Sequence, residues 1–358
     1  MNNVVSAEAI AIQAGVPVLV MGPPGTGKTA LTLGIGKKLD RYTHVFIGSI
    51  HEPGDLGFPS PEDGQLGYLT PKFVNKLNEK PSILFFDEFT TCTPMMQNGL
   101  LRVVCERWVG DTQLKEFVSI VAAGNPSEYN AGAYELSMPM ANRFCHLTWE
   151  FNYEEWTIAA VAGWPEPSFP IVPKNWQVGK SASMARIAAF GKHRPAMLLQ
   201  LPKEEISKSG AWASPRSWEM GATLEAACTA ARVGNEIKMM LLAGCVGTGP
   251  ALEYFAWCKD QDLPDPEIFI RDPLKFTLPE RQDIQFAVLA SVAAAVMARL
   301  TDERYLNAWK VLERAANQGG LDVAVVAARS LLSIDKEDLP LPLEELKPFE
   351  RILKKAGV

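Results

Sequence analysis

The sequence predicts an α/β fold built on a parallel sheet, followed by a helical second half. Two observations carry this. Three apolar runs of strand type each end in small or polar residues: Val16–Met21 before a glycine-rich loop, Ile83–Phe86 before Asp87-Glu88, and Phe117–Ala123 before Gly124-Asn125-Pro126. Continuous apolar runs suit strands buried on both faces of a parallel sheet, and ligands bind at the C-terminal edge of such sheets. From about residue 152 strand-like runs vanish, and alanine-rich helical patterns take over.

The first element is a short helix over 3–15, expected to pack ahead of the first strand. After that strand comes Gly22-Pro23-Pro24-Gly25-Thr26-Gly27-Lys28-Thr29, and then a helical run from Ala30. Strand, glycine-rich loop and helix form the context of a phosphate-binding P-loop. The glycines let successive backbone N–H groups turn inward, and the helix N-terminus adds its positive end. Lys28 is placed to charge-pair with β- and γ-phosphates, and the Thr29 hydroxyl is placed for Mg²⁺.

His44–Gly48 reads as a second strand, 49–59 as loop, and 64–71 as part of a hairpin-like insert or an ordinary surface loop. Asp87 and Glu88 close the next strand, about 60 residues beyond the P-loop. Asp87 would hold Mg²⁺ through water, and Glu88 would polarise the attacking water. Thr93–Trp108 is predicted helical, capped by Thr93 with proline at its first position. Asn125 sits where a polar side chain senses a γ-phosphate or serves as a turn former before proline. Arg143 has no distinguishing signal of its own.

An ordered set of segments then carries a resemblance: GPPGTGKT at 22–29, DLGF at 55–58, FFDEF at 85–89, QNGLLRVVCERWV at 97–109, AAGNP at 122–126, MANRF at 140–144 and SPR at 214–216. Residues 1 to about 240 resemble a MoxR-type AAA+ ATPase, in the helix-2-insert, dynein-related clade. The resemblance implies a ring, expected to be a hexamer, with ATP and Mg²⁺ bound between subunits. It implies that Gly22 to Ala30 with Asp87 hold the nucleotide, and that Thr29 and Asp87 serve the metal. It makes Lys28 and Thr29 Walker A, Asp87 and Glu88 Walker B, and Asn125 sensor 1. It makes Arg143 the arginine finger offered to a neighbour and Arg216 the sensor 2 that reaches the γ-phosphate from the lid. Arg107 is a second candidate for the intersubunit arginine. Asn142 departs from the family's aspartate and loses a charge that could orient Arg143. The proline-rich 164–173 reads as a linker or as an extended element packed on the surface.

The implied domains are an AAA+ core over 1–150, a helical lid over 151–245 and a helical extension over 246–358. Lid helices are expected at Ser181–Phe190, Ser214–Val233 and Glu236–Ala243, with Gly244–Pro250 as a turn and Asp262–Pro266 as a loop. Ser214-Pro215 is a helix start, and it puts Arg216 in a first turn where the helix dipole disfavours a cation. An anion such as phosphate explains it better. Further helices are expected at Phe286–Leu300, Asp302–Gln318, Leu321–Ser333 and Leu343–Lys355.

The whole chain has 358 residues, 47% hydrophobic and 21% charged, with a net charge of −6 and a pI near 5.5. That balance gives no electrostatic footprint for nucleic acid or an anionic membrane. Six scattered cysteines without metal-ligand spacing read as reduced thiols of a cytoplasmic protein. No signal peptide is expected, and the most apolar helix is too short for a bilayer. The function these observations predict is ATP hydrolysis that remodels a protein partner, by resemblance one with a von Willebrand A domain. The competing readings are a nucleotide-gated switch with slow turnover and a nucleic-acid motor.

Overall fold

A computed structural model describes residues 3–62, 65–129, 132–203, 209–260, 264–332, 334 and 339–349. They form two compact units. One comprises the residues through Val172 with Gln200–Leu224 and Ala231–Ala251; the other comprises Pro173–Leu199, Glu225–Ala230 and the residues from Leu252. The stretch expected as one lid, 151–245, is therefore shared between the two.

In the first unit α1 (Asn3–Ala14) precedes β1 (Val18–Met21), α2 (Lys28–Lys38) and β2 (Tyr42–Ile47). A hairpin of β3 (Phe58–Glu62) and β4 (Gln65–Leu69) leads to α3 (Lys72–Leu77), β5 (Ser82–Asp87) and α4 (Pro94–Glu106). A second hairpin, β6 (Trp108–Val109) and β7 (Thr112–Gln113), precedes β8 (Val118–Gly124), α5 (Met138–Ala141), β9 (Cys145–Thr148) and α6 (Tyr153–Val161). The main sheet runs β2-β5-β8-β1-β9 with every pairing parallel. β8 lies between β5 and β1 and is buried along its whole length, as its unbroken apolar run requires.

The register fixes which residues share an edge. Met21 pairs with Gly124 and Thr148, Phe86 with Ala122, and Asp87 with Ile47. The segments after β1, β2, β5, β8 and β9 therefore all leave from the C-terminal edge. Cys145 pairs with Val18, so Arg143, two residues earlier, belongs to the opposite edge. Four residues of strand at about 3.3 Å each put about 13 Å between these edges.

The β3–β4 hairpin realises the expected insert, although β3 begins inside the stretch expected to be loop. The β6–β7 hairpin was not foreseen, since the helical pattern runs on to Trp108. Helix α4 instead stops at Glu106, because Arg107 adopts the left-handed conformation at φ 63°. The segment 164–173 is not a free linker. Gln13 Nε2 donates to the Pro170 carbonyl at 3.0 Å and Gln13 Oε1 accepts from Val172 N at 2.9 Å. Lys38 bonds the Pro167 carbonyl and lies over the ring of buried Phe169. The prolines hold an extended strap against α1 and α2.

The helices α7 (Lys180–His193), α8 (Pro215–Ala230), α9 (Asn235–Val246), α10 (Thr248–Asp260), α11 (Pro266–Arg271), α12 (Gln282–Ala298), α13 (Asp302–Ala315) and α14 (Leu321–Leu332) complete the chain. The turn expected over Gly244–Pro250 narrows to Gly247 at φ 88°, because α9 runs through Val246 and α10 starts at Thr248. The second unit has its own core around Phe276, Leu289, Val292, Trp309 and Ala324. Arg304 clamps Glu267 bidentately at 2.6 and 2.7 Å. Of the expected helix Leu343–Lys355, residues 343–349 form turns and 350–355 lie outside the described residues, as do Asp262, Leu263 and Ser333. Among the described residues no helix is long and apolar enough to cross a membrane.

Candidate nucleotide-binding site

The P-loop geometry follows from its glycines. Gly25 and Gly27 adopt φ of 72° and 95°, which a side chain resists, and Gly27 caps α2 from that left-handed conformation. Gly22 is required for another reason: a Cβ there would lie 2.4 Å from the Trp149 carbonyl oxygen. Trp149 also donates its indole N–H to the Thr26 carbonyl at 3.1 Å, fastening the loop to the segment after β9. Pro23, Pro24 and Ala30 complete the loop and the first turn of the helix, and Thr26 bonds back to the Pro23 carbonyl at 2.7 Å.

Lys28 is buried, and its ammonium donates to the Gly22 and Pro23 carbonyls at 2.8 and 2.7 Å and to Asn125 Oδ1 at 2.9 Å. Burial pushes its pKa down, and the Asp87 carboxylate opposes that. Thr29 donates to Asp87 Oδ2 at 2.8 Å. Three segments remote in sequence (Lys28-Thr29, Asp87 and Asn125) thus meet at one sheet edge. Thr90 holds the Asn125 backbone, accepting from its N–H at 3.2 Å and donating to its carbonyl at 3.1 Å.

Glu88 follows on the same edge, exposed, at φ 53° and ψ 38°. Its N–H bonds Asp87 Oδ1 at 2.9 Å, and its Oε2 accepts from Ser49 Oγ at 2.6 Å. Ser49, Thr90 and Trp149 are site residues that the sequence reading missed. Ser49 follows β2, whose last residue pairs with Asp87, so strand register is the signal that finds it.

The arginines lie elsewhere. Arg143 is half-buried at the opposite edge and bonds the Pro139 carbonyl. The neighbouring Asn142 side chain is buried; its amide donates to the Trp212 carbonyl at 2.9 Å and its oxygen accepts from Ser214 Oγ at 2.6 Å. Ser214 and Ser217 cap the start of α8 reciprocally at 2.9 and 3.2 Å. The first turn of α8 is therefore tied to Asn142, and exposed Arg216 joins Arg143 rather than Lys28. Both positive charges act on the Cys105 thiol, whose pKa burial nonetheless raises. Arg107 is a different case: its guanidinium bonds the Leu114, Lys115 and Val118 carbonyls at 3.4, 2.7 and 2.5 Å, closing the β6–β7 hairpin.

The donor set fits a magnesium nucleotide. A hydroxyl and a carboxylate offer hard oxygen ligands at Thr29 and Asp87, and Mg²⁺ commonly takes one or two such groups plus phosphate and water. The left-handed glycines and the helix start form a cradle for anionic oxygens.

Residues 17–144 match the family model described as AAA domain (dynein-related subfamily), so this part of the chain is similar to that domain. An ATP-dependent zinc metalloprotease FtsH homolog from Helicosporidium sp. subsp. Simulium jonesii is 36% identical over 83 residues, 23% of this chain and 6% of that protein's length. The crystal structure of a proposed ATPase from Cytophaga hutchinsonii matches 68% of this chain and 80% of its own, at 17% identity and a TM-score of 0.41.

Proposed function

We propose that this chain hydrolyses ATP with Mg²⁺ at a site completed by a second copy, in a ring that remodels a protein partner. The observation that carries the reading is the separation of two groups. Lys28, Thr29, Asp87, Glu88 and Asn125 gather at one edge of the sheet, while Arg143 and Arg216 lie at the other. In this reading Gly22 to Ala30 enclose the phosphates, and Lys28 exchanges a carbonyl for a phosphate oxygen. Mg²⁺ when bound supplies neutralising charge at the β- and γ-oxygens, with Thr29 and Asp87 as its protein partners. Glu88 accepts hydrogen-bond density from the attacking water, and Asn125 orients it. Arg143 and Arg216 of one copy face the phosphates of the next, neutralising charge that develops in transfer.

The Ser49–Glu88 bond favours a second reading within the same site, a nucleotide-gated switch. It engages one oxygen of the carboxylate that must polarise water. The remodelled partner is proposed by resemblance alone, as a von Willebrand A domain protein, and the net charge of −6 disfavours nucleic acid. Glu88→Gln tests the proposal: ATP binding is expected to survive while phosphate release is lost. Turnover retained in that variant contradicts it. The proteins that co-purify with the ATP-trapped variant identify the partner.

A further inference from the structure

Helix α1 carries one ionisable residue, Glu8, in a stretch buried from Val5 to Ile12. Its Oε1 lies 2.6 Å from Oγ1 of Thr32 on α2, and its Oε2 is buried with no hydrogen-bond partner among the described residues. Thr32 is itself buried, one turn after Lys28, and its hydroxyl also reaches the Lys28 carbonyl at 3.3 Å.

The partnerless Oε2 and the hydrogen count at Thr32 both favour a protonated Glu8. A threonine hydroxyl has one hydrogen and two acceptor lone pairs. A carboxylate and a carbonyl are both acceptors, so an ionised Glu8 and the Lys28 carbonyl would compete for that hydrogen. A proton on Glu8 resolves the competition. Oε1–H donates to Thr32 Oγ1 across the short contact, and Thr32 donates to the Lys28 carbonyl across the longer one. Ionisation would instead turn the Thr32 hydrogen toward Glu8, withdraw the Thr32 hydroxyl from the Lys28 carbonyl, and leave a charged oxygen buried without a donor.

We propose that Glu8 is a positioning residue for the nucleotide-binding helix, acting as a neutral carboxylic acid through Thr32, so that nucleotide affinity falls when Glu8 loses its proton. The inference rests on the P-loop reading above. Burial raises the Glu8 pKa from 4.5 to about 7, against the Thr32 hydrogen bond, which lowers it. The titratable groups on the elements packed against α1 are Lys28, Lys37 and Lys38 on α2, Glu166 on the proline-rich strap, Glu236, Lys238 and Cys245 on α9, and Cys145 and His146 on β9; β1 and β8 carry none. No charge among them offsets the burial of Glu8.

The test uses the full chain and two readouts. Infrared spectra of the wild type below and above about pH 7 are expected to contain a protonated-carboxyl band that disappears on the alkaline side and is missing from Glu8→Gln. Titration with a fluorescent ADP analogue is expected to show wild-type affinity falling roughly threefold or more, relative to Glu8→Gln, across the same interval. Glu8→Gln keeps a donor to Thr32 at every pH, so its affinity follows the ligand's own titration. Thr32→Val removes the reader, and it too is expected to lose the excess pH dependence, which covers the case of a Glu8 variant that fails to fold. Absence of the band in acidic wild type overturns the proposal, as does a Glu8→Gln or Thr32→Val profile that parallels wild type. An analogue that binds at neither pH overturns the P-loop reading and the coupling with it, while the band still reports on Glu8 itself.

Discussion

The Ser49 hydroxyl donates to Glu88 Oε2 at 2.6 Å, so the side chain proposed to polarise water is already engaged across the edge of the sheet. A hydrogen bond to a charged group is worth about 1.5–3 kcal/mol, and about 1.4 kcal/mol is tenfold in rate. Ser49→Ala is therefore expected to raise basal phosphate release by about tenfold, the low end of that range because the bond is exposed, if the bond holds Glu88 back. A fall to the level of Glu88→Gln would instead make Ser49 a support for the productive carboxylate.

Lys28 and Asn125 are bonded to each other but are expected to separate in function. Lys28→Ala removes a charge and three donors facing the phosphate cradle. Its affinity for a fluorescent ATP analogue is expected to fall by about a hundredfold, the loss of two charge-assisted bonds. Asn125→Ala is expected to bind within about threefold of wild type and to lose turnover, because its role is to orient water. Equal losses of binding in both variants would contradict that division.

The buried Asn142 both donates to Trp212 and accepts from Ser214, and aspartate can do only the second. Asn142→Asp would set a carboxylate against the Trp212 carbonyl. Urea unfolding is expected to show a loss of about 3 kcal/mol, of the size found when a buried charge is left uncompensated. A variant as stable as wild type would mean that the start of α8 is held by other contacts.

Glu8 gives stability a defined pH dependence. Its folded pKa, about 7, is raised above the ordinary 4.5, so the folded state holds this proton more tightly than the unfolded chain. Its contribution is fully present below about pH 4.5 and is lost as pH rises through about 7. Relative to Glu8→Gln, wild type is expected to lose on the order of 3 kcal/mol across that interval in denaturant unfolding. Parallel stability profiles for the two proteins would contradict the shift.

Much of the nucleotide edge was legible because its signals are local. Gly22–Thr29 announces its own turn, and two carboxylates after a buried apolar run mark a strand end. The fully buried β5 and β8 were legible for the same reason. Relationships across strands were not. Ser49 is an ordinary loop serine until register sets β2 beside β5, and Trp149 is an ordinary aromatic until Gly22 needs the space beside it. Arg216 was expected to reach the γ-phosphate from the lid, and no local pattern reveals that Asn142 ties the first turn of α8 to the far edge. The β6–β7 hairpin escaped because one left-handed residue, Arg107, interrupts an otherwise helical pattern. Glu8 lies in a helix that composition reads as plain packing, and the hydrogen count at Thr32 needs coordinates.

In the proposed assembly one chain holds the phosphate cradle and another supplies the arginine. Mixing two variants tests it most directly. Glu88→Gln keeps Arg143 and loses its own water-polarising carboxylate; Arg143→Ala keeps Glu88 and loses the arginine it offers. Each alone is expected to be nearly inactive in phosphate release. Mixed, they are expected to recover activity, because an Arg143→Ala cradle meets the arginine of a Glu88→Gln neighbour. If every mixture stays as inactive as its components while each variant still binds ATP, Arg143 serves its own chain or none, and the shared site is contradicted.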